Sequence, residues 1–506
     1  MNRTQKFALN SVTSMISQVI VMIAGMITPR LMIATYGSEI NGLVSSLNQF
    51  ISYITLVEAG IGGAAIYSLY KPLAEDDRGK TSSIVVAARN SYRQAGYLFS
   101  GGIFALAVIY GLLSCSDTLS FSTIFVLTLL LGANGCTDFF FVSGYRVLLN
   151  ADQRNYVISS VGIINTVIRT LIICLLAIGR VDVVLLYACV TVTMVIKVAL
   201  ISIYSQKKYP YIDKNAVPDK SSMNKRWDVI YQQILGMIQA GAPTVLATVL
   251  LNLITVSVYS VYNMVITGLN GVLSVFISGL PAGFGDLIAR GEKENLKKTV
   301  GEFEVAYYYI LSVVYGLAFV LLMPFISVYT AGLTDANYIY PALGFVIVLN
   351  GLLYNIKTPQ SMLVVSAGMY KETRWRVTIQ GLIIIVVGAA LGLKWGIVGI
   401  MLGSCLSNLY RTVDLLLFTP QYITQASVGK TVLRMLVVFI NIVLISIPSF
   451  VFDYSVGSFV EWIALAVIYG VYSLMIVTAT TVIVDKKSFL SVMRRVLSIV
   501  ARRKKS

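Results

Sequence analysis

Two adjoining stretches decide the fold of this chain: YVISSVGIINTVIRTLIICLLAI (Tyr156–Ile178) and DVVLLYACVTVTMVIKVALISIY (Asp182–Tyr204). Each is 23 residues long and almost entirely apolar, and only Gly179, Arg180 and Val181 separate them. A transmembrane helix needs about 20 mostly apolar residues. The two stretches therefore predict a pair of membrane-spanning helices joined by a short turn.

Apolar runs of this kind continue along the whole chain of 506 residues. Fourteen are counted, at about 8–35, 41–69, 92–113, 121–147, 156–178, 182–204, 229–254, 257–287, 303–329, 340–367, 377–393, 396–418, 431–451 and 459–483. Only 12% of the residues are charged and the mean hydropathy is +0.79, whereas soluble proteins carry about 25% charged residues. The predicted fold class is an all-α polytopic membrane protein with about 14 transmembrane helices, and a soluble enzyme is excluded.

The distribution of Lys and Arg predicts the orientation in the membrane. Of 39 such residues, 32 fall in the two termini and in alternate loops, while only Arg180 and Lys394 fall in the opposite loops. Basic residues are retained on the cytoplasmic side during insertion. Both termini are therefore expected in the cytoplasm.

A shift of 217 residues aligns parts of the two halves, pairing Gly62 with Gly279 and Lys80 with Lys297. Transporters are often built from such repeats. We expect two six-helix lobes related by a pseudo-twofold axis along the membrane normal. The predicted division is an N-terminal lobe (1–204), a cytoplasmic linker (205–227), a C-terminal lobe (228–418), two additional transmembrane helices (419–484) and a basic amphipathic tail (485–506).

The residue types restrict the chemistry. Histidine is absent, the five cysteines show no metal-ligand spacing, and no nucleotide-binding or nucleophile motif is found. No cofactor, metal or nucleic-acid partner is predicted. The predicted outer loops are short, which argues against a membrane glycosyltransferase or polymerase, so a non-enzymatic function is expected. A scaffold of a glycan assembly complex stays open as an alternative.

Ionisable residues at membrane depth are the candidate functional residues, because each costs at least about 2.5 kcal/mol to insert and usually faces a cavity or a partner. They are Arg30, Arg169, Lys197, Lys357 and Arg411, with the acidic residues Glu58, Asp138 and Asp414. Arg411 and Asp414 can instead form a local pair, and Lys197 can extend to the surface. Glu58 is either a salt-bridge partner or a carboxylate for a coupling ion, and Asp138 has the same two interpretations with Arg146 nearby.

Three segments carry a family resemblance: TPRLMIATYG (Thr28–Gly37), LVEAGIGGAAIYSLYKPLAEDD (Leu56–Asp77) and NADQRNY (Asn150–Tyr156). The chain resembles the O-antigen flippase type of polysaccharide transporters, within the multidrug, oligosaccharidyl-lipid and polysaccharide exporter superfamily. The resemblance implies a protein of the bacterial inner membrane that moves undecaprenyl-diphosphate-linked oligosaccharide to the outer leaflet by alternating access. It also implies contacts with membrane lipids, a polysaccharide polymerase and chain-length machinery.

In that family the central cavity is cationic, and Arg30 matches an arginine late in the first helix. The charges at membrane depth, together with this resemblance, predict a cationic substrate cavity formed by Arg30, Arg169, Lys357 and Arg411, with Glu58 and Asp138 as coupling-ion or salt-bridge carboxylates. A peptidoglycan-precursor flippase and a multidrug or cation antiporter of the same superfamily are the alternatives.

Overall fold

The computed structural model describes residues 3–113, 119–213, 215–219, 227–277, 280–452 and 456–503. All regular secondary structure within these ranges is helical. Residues 220–226 of the predicted linker and 504–506 of the predicted tail lie outside the described residues. The predicted all-α fold class is confirmed.

The chain forms two compact units, Met1–Val245 (unit 1) and Leu246–Ser506 (unit 2). The helices that lie within unit 1 are α1 (Arg3–Tyr36), α2 (Ser38–Ile54), α3 (Ile61–Ala74), α4 (Arg78–Leu113), α5 (Phe121–Thr137), α6 (Ser143–Ala151), α7 (Asn155–Ile178) and α8 (Val183–Lys208). Helix α9 (Trp227–Leu250) contains the division between the units. Those within unit 2 are α10 (Leu253–Ile277), α11 (Leu280–Ala289), α12 (Lys293–Tyr329), α13 (Pro341–Ile356), α14 (Thr358–Ser366), α15 (Tyr370–Thr419), α16 (Val428–Val451) and α17 (Phe459–Arg503).

Twelve helical segments of the described chain are long and apolar enough to cross a membrane. The bent pair Ser38–Glu58 and Ile61–Ala74 adds a thirteenth, with an angle of 42° between its parts. The chain is thus a multi-span membrane protein.

One more span is found because α15 contains two of the predicted runs, 377–393 and 396–418. It is a hairpin of two arms joined at Gly396. The backbone there has φ of +60°, a conformation that glycine adopts without steric cost. A Cβ added at Gly403 would contact the backbone of Gly388, although 15 residues of continuous helix would separate the two by about 22 Å. Ser407 Oγ likewise donates to the carbonyl of Gln380 at 2.7 Å. The arms are therefore antiparallel, as two successive spans must be.

The order of elements in unit 1 recurs in unit 2. Adding 217 to the first residue of α4, 78, gives 295, and α12 begins at 293. The same shift carries the start of α5 from 121 to 338, beside the start of α13 at 341, and the start of α7 from 155 to 372, beside the start of α15 at 370. The sequence shift thus relates the elements of the two units as well as their residues.

A charged cluster fixes the start of α1 beside the turn between α6 and α7. Lys6 Nζ donates to Asp152 Oδ1 at 2.7 Å, Arg154 Nε donates to Oδ2 at 2.5 Å, and the Tyr209 hydroxyl donates to Oδ2 at 2.7 Å. Burial raises the pKa of Asp152, but the hydrogen bonds from Lys6, Tyr209 and Arg154 outweigh it, so that the pKa lies below its ordinary value of 3.8. The ionised carboxylate therefore stabilises the folded state.

We expect Asp152→Asn to lower the free energy of unfolding by about 1 to 3 kcal/mol at neutral pH, because charge-assisted hydrogen bonds are lost. Since the folded-state pKa of Asp152 is lowered, its contribution is present above the ordinary carboxyl pKa and is lost as the pH falls through the folded-state value. The difference in melting temperature between parent and variant should therefore shrink below about pH 4. The matched control is Asp76→Asn, at a carboxylate that is 79% exposed, and it should leave the melting temperature unchanged.

Gly403→Ala should destabilise the α15 hairpin by about 1 to 3 kcal/mol, because the added methyl group must push the two arms apart. Thermal unfolding of the detergent-purified protein measures the effect. Gly470→Ala in α17 is the control, since nothing lies within 4 Å of a Cβ built there. Equal melting temperatures for the two variants would contradict the close packing of the arms.

Candidate functional site

Three of the predicted charged residues lie where a membrane span departs from regular α-helix. Glu58 ends the 3₁₀ turn Thr55–Glu58 within the bent second span, just before Gly60 at φ of +79°. Asp138 opens the π-helical turn Asp138–Val142 between α5 and α6. Lys357 is the single residue between α13 and α14. Irregular backbone at membrane depth occurs where protein or a cavity surrounds it, and it often forms transporter binding sites.

Both candidate carboxylates of unit 1, Glu58 and Asp138, are in ion pairs. Arg146 Nη2 lies 2.8 Å from Glu58 Oε2, and its guanidinium lies 5.9 Å from the centre of the Tyr92 ring. Asp138 pairs with Lys197 on α8, whose Nζ is 2.7 Å from Oδ1. Arg146, the sequence-based partner of Asp138, therefore pairs with Glu58, and Lys197 has a partner inside the unit.

Arg30 and Arg169 lie on the parallel helices α1 and α7. The backbone amide of Tyr156 donates to Asn10 Oδ1 at 2.7 Å, and the Tyr36 hydroxyl donates to the carbonyl of Val181 at 2.6 Å. Contacting residues of the two helices thus differ by about 145 in number. Measured along the common direction of the two helices, Arg30 therefore lies about 9 Å beyond Arg169. This offset is less than two helical turns.

Arg169 lines a small polar cavity. The cavity has a volume of about 50 Å³, and its lining includes Asn134, Asn165 and Tyr187. The side-chain carbonyl oxygens of Asn134 and Asn165 are buried and have no hydrogen-bond partner among the described protein atoms. A cavity of this size and polarity can hold ordered water, so the space beside Arg169 is suited to hydration.

Lys357 is buried in unit 2, with 7% of its surface exposed. Its Nζ donates to Asn408 Oδ1 at 2.6 Å and to the carbonyl of Tyr354 at 3.2 Å, and it lies 4.6 Å from the centre of the Tyr354 ring. Asn408 is held in turn by Asn350, to which its amide donates at 2.9 Å. Neutral oxygens and an aromatic face surround this cation, and it forms no ion pair among the described residues.

Arg411 lies one turn beyond Asn408 and pairs with Asp414. Asp414 also accepts from Arg376 on the other arm of α15, so that two guanidinium groups share one carboxylate. Arg411 and Asp414 are almost fully buried, with 7% and 6% of their side-chain surfaces exposed. The cluster therefore carries a net positive charge, and it lies one turn along the arm from Asn408, the residue that accepts from Lys357.

The repeat explains why Lys357 lacks a carboxylate. The shift of 217 carries Asp138 to position 355, two residues from Lys357, and carries Lys197 to Asp414. Unit 1 has an acid, Asp138, at the break and a base, Lys197, on α8. Unit 2 has a base, Lys357, at the break and an acid, Asp414, on the second arm of α15. In unit 2 the acid is bonded to Arg376 and Arg411 instead. The charge at the break consequently stays uncompensated.

Sequence reasoning missed two groups of polar residues in unit 2. One is a set of buried amides, of which Asn355 donates to Asn270 at 2.7 Å and to the Tyr315 hydroxyl at 2.9 Å. The other is Glu304, which is 4% exposed and lies 2.7 Å from Arg434. The sequence does contain a signal for each group. The amides lie within apolar runs, where polar side chains often bond between helices, and Glu304 and Arg434 lie at the starts of two predicted spans.

Asp414→Asn should destabilise the protein by about 3 to 5 kcal/mol, because it leaves the buried Arg411 without a carboxylate. The double variant Asp414→Asn, Arg411→Gln should be more stable than Asp414→Asn alone, since it removes the uncompensated charge. Thermal unfolding of the purified variants tests the order. A double variant less stable than the single one would show that the charge of Arg411 is balanced elsewhere.

No protein-family model matches the sequence, and neither does any curated protein. Solved structures do match. The lipid II flippase MurJ in an inward closed conformation aligns over 94% of this chain and 99% of its own, with a TM-score of 0.68 and 14% identity.

Two further structures belong to transporters. An inward-facing multidrug resistance MATE family transporter of the MOP superfamily covers 81% of this chain and 99% of its own, with a TM-score of 0.61 and 12% identity. A mutant of the Vibrio cholerae MATE transporter VcmN covers 84% and 98%, with a TM-score of 0.59 and 12% identity. At these identities the comparison establishes the architecture: the chain has the fold shared by MurJ and the MATE family transporters.

Proposed function

We propose that this chain is a flippase that moves undecaprenyl-diphosphate-linked oligosaccharide from the cytoplasmic to the outer leaflet by alternating access, driven by an ion gradient. It acts in the bacterial inner membrane with both termini in the cytoplasm. A polysaccharide polymerase and chain-length machinery are its proposed partners. The oligosaccharide is a polysaccharide repeat unit of the O-antigen type.

The observation that carries the proposal is the uncompensated positive charge at the break in unit 2. Among the described residues, Lys357 is bonded to amide and carbonyl oxygens and to no carboxylate, and burying a cation without a carboxylate is costly unless an anion or water completes the site. A diphosphate supplies such an anion. Lysine is a common point-charge ligand of phosphate, and arginine a bidentate one.

The proposed roles follow the sequence predictions. Lys357 and Arg411 of unit 2, and Arg30 and Arg169 of unit 1, bind the diphosphate or the sugar next to it. Glu58 and Asp138 are the carboxylates that a coupling ion would occupy. Each is held by a base, at 2.8 Å from Arg146 and 2.7 Å from Lys197 respectively, so ion binding would have to compete with that base.

A peptidoglycan lipid-precursor flippase is the second candidate, because MurJ, a lipid II flippase by name, matches nearly the whole chain. Both candidates carry a lipid diphosphate and differ in the sugars. A drug or cation antiporter fits less well, because its cargo as well as its coupling ion would have to displace a base from a carboxylate. Glu58, Asp138 and Asp414 are all bonded to basic side chains.

Lys357→Gln should slow translocation of a fluorescent undecaprenyl-diphosphate oligosaccharide in proteoliposomes by about tenfold or more, because a charged hydrogen bond contributes about 1.5 to 3 kcal/mol. Adding Arg30→Ala should slow it further. Lys357→Arg should recover part of the rate, since it keeps the charge. A parallel assay with a lipid-linked peptidoglycan precursor separates the two candidates.

The matched control is Lys394→Gln, which removes the same charge from an exposed lysine in the turn of the α15 hairpin. It should translocate at the parental rate. Full activity of Lys357→Gln in a folded protein would disprove the role of Lys357. No translocation of either lipid by the folded parent would disprove the flippase.

A further inference from the structure

A large cavity lies in unit 2, and Lys357 is not among its lining residues. Its volume is about 660 Å³, and it is bounded by α12, α14, the end of α15, the start of α16 and the segment of α17 that follows Asp485. Ligand pockets commonly have volumes of about 300 to 1,000 Å³. The cavity is therefore large enough for a small polar ligand or a lipid headgroup.

Arg434 and Glu304, deep in this cavity, are already paired. Arg434 lies 2.7 Å from Glu304 and 2.6 Å from Asp485. Glu304 also accepts from Thr431 at 3.0 Å, while Glu302 accepts from the neutral hydroxyl of Ser491 at 2.7 Å. Basic residues still outnumber acidic ones in the lining, so the cavity carries a net positive charge.

Four lysines from three separate elements line the same cavity: Lys297 and Lys298 of α12, Lys430 of α16, and Lys487 of α17. Lys297 is paired with Glu294 at 2.8 Å. The ion pairs of the described residues do not include Lys298, Lys430 or Lys487. These three side chains are exposed, and like charges around one cavity repel each other, so an anion bound in the cavity would stabilise the arrangement.

Further hydrogen-bond donors are present on the wall formed by α16. The side chain of its N-cap residue, Ser427, makes no capping hydrogen bond, and Ser427, Lys430 and Thr431 line the cavity. The first backbone amides of a helix are ready donors to an anion. Because the Thr431 hydroxyl already donates to Glu304, the wall adds the Ser427 hydroxyl and the first amides of α16 to the three lysines.

The remaining wall is the amphipathic tail. Asp485 interrupts α17 with φ of −142° and ψ of 61°, and its carboxylate accepts from the amide of Ser488 at 3.2 Å. The Phe489 ring then packs on Tyr309 with 6.0 Å between the centroids. An amphipathic basic helix of this kind lies at the level of lipid headgroups, where phosphate is the abundant anion.

We infer that this cavity binds a phosphate group, through Lys298, Lys430, Lys487 and the first turn of α16. The phosphate comes from the headgroup of an anionic membrane lipid or from a soluble phosphate compound. This site is separate from Lys357, and it does not depend on the proposed flippase activity.

The test uses the full-length protein, purified and delipidated in detergent, and native mass spectrometry with added phosphatidylglycerol. The site variant Lys298→Gln, Lys430→Gln, Lys487→Gln should bind the lipid about a hundredfold more weakly than the parent, since each of the three basic residues near a headgroup contributes about 1 kcal/mol. The control variant Lys293→Gln, Lys371→Gln, Lys486→Gln removes the same net charge from exposed lysines outside the cavity. It should bind as the parent does.

Two further probes identify the source of the phosphate. If glycerol phosphate or inorganic phosphate binds the parent and not the site variant, the ligand is soluble. If only phosphatidylglycerol binds the parent and not the site variant, the ligand is a lipid. Equal binding of every probe by the site and control variants would overturn the proposal, as would equal binding of phosphatidylcholine and phosphatidylglycerol by the parent. The single variant Lys430→Gln repeats the comparison if the triple variant fails to fold.

Discussion

The hydrocarbon core of a membrane contains no water to satisfy exposed backbone groups, and the rest of this structure depends on that constraint. A membrane span must therefore be helical unless protein or a polar cavity surrounds its irregular part. This chain departs from regular α-helix at Glu58, at Asp138 and at Lys357, and each of these places also carries a charge. Irregular backbone and buried charge have the same physical requirement, which is a polar environment inside the protein.

The two units meet this requirement in different ways. In unit 1 each charge at a break is neutralised by a basic side chain, Arg146 for Glu58 and Lys197 for Asp138. In unit 2 the charge at the break is bonded, among the described residues, to neutral oxygens. An ion pair binds a further ion only in competition with its own partner, while a cation without a carboxylate is stabilised by an anion. The breaks of the two units therefore differ in the charge that would stabilise them.

Much of the fold follows from the sequence, because the length of an apolar run is fixed by the thickness of the membrane. The fourteen runs correspond to the spans, including the two arms of α15 on either side of Gly396. The pairing of charges did not follow. Sequence spacing suggested Arg146 for Asp138, but the partner Lys197 lies 59 residues away on another helix. Such contacts depend on which helix faces meet, and in a membrane both lipid-facing and packed faces are apolar. The Glu304 and Arg434 pair was missed for the same reason, since 130 residues separate its members.

The repeat gives these differences a common origin in the scaffold. The same order of helices places a break at residue 138 in unit 1 and at residue 357 in unit 2, with a charged partner position on a later helix at 197 and 414. If unit 2 differed from unit 1 only in having the signs of these two charges exchanged, it would still contain a neutral pair. Unit 2 has the exchanged signs and, in addition, Arg376 and Arg411, which both bond to Asp414. One carboxylate cannot neutralise three bases, so the added arginines leave Lys357 with its charge. The arginines of α15 therefore distinguish the break in unit 2 from the break at Asp138 in unit 1, where one lysine balances one carboxylate.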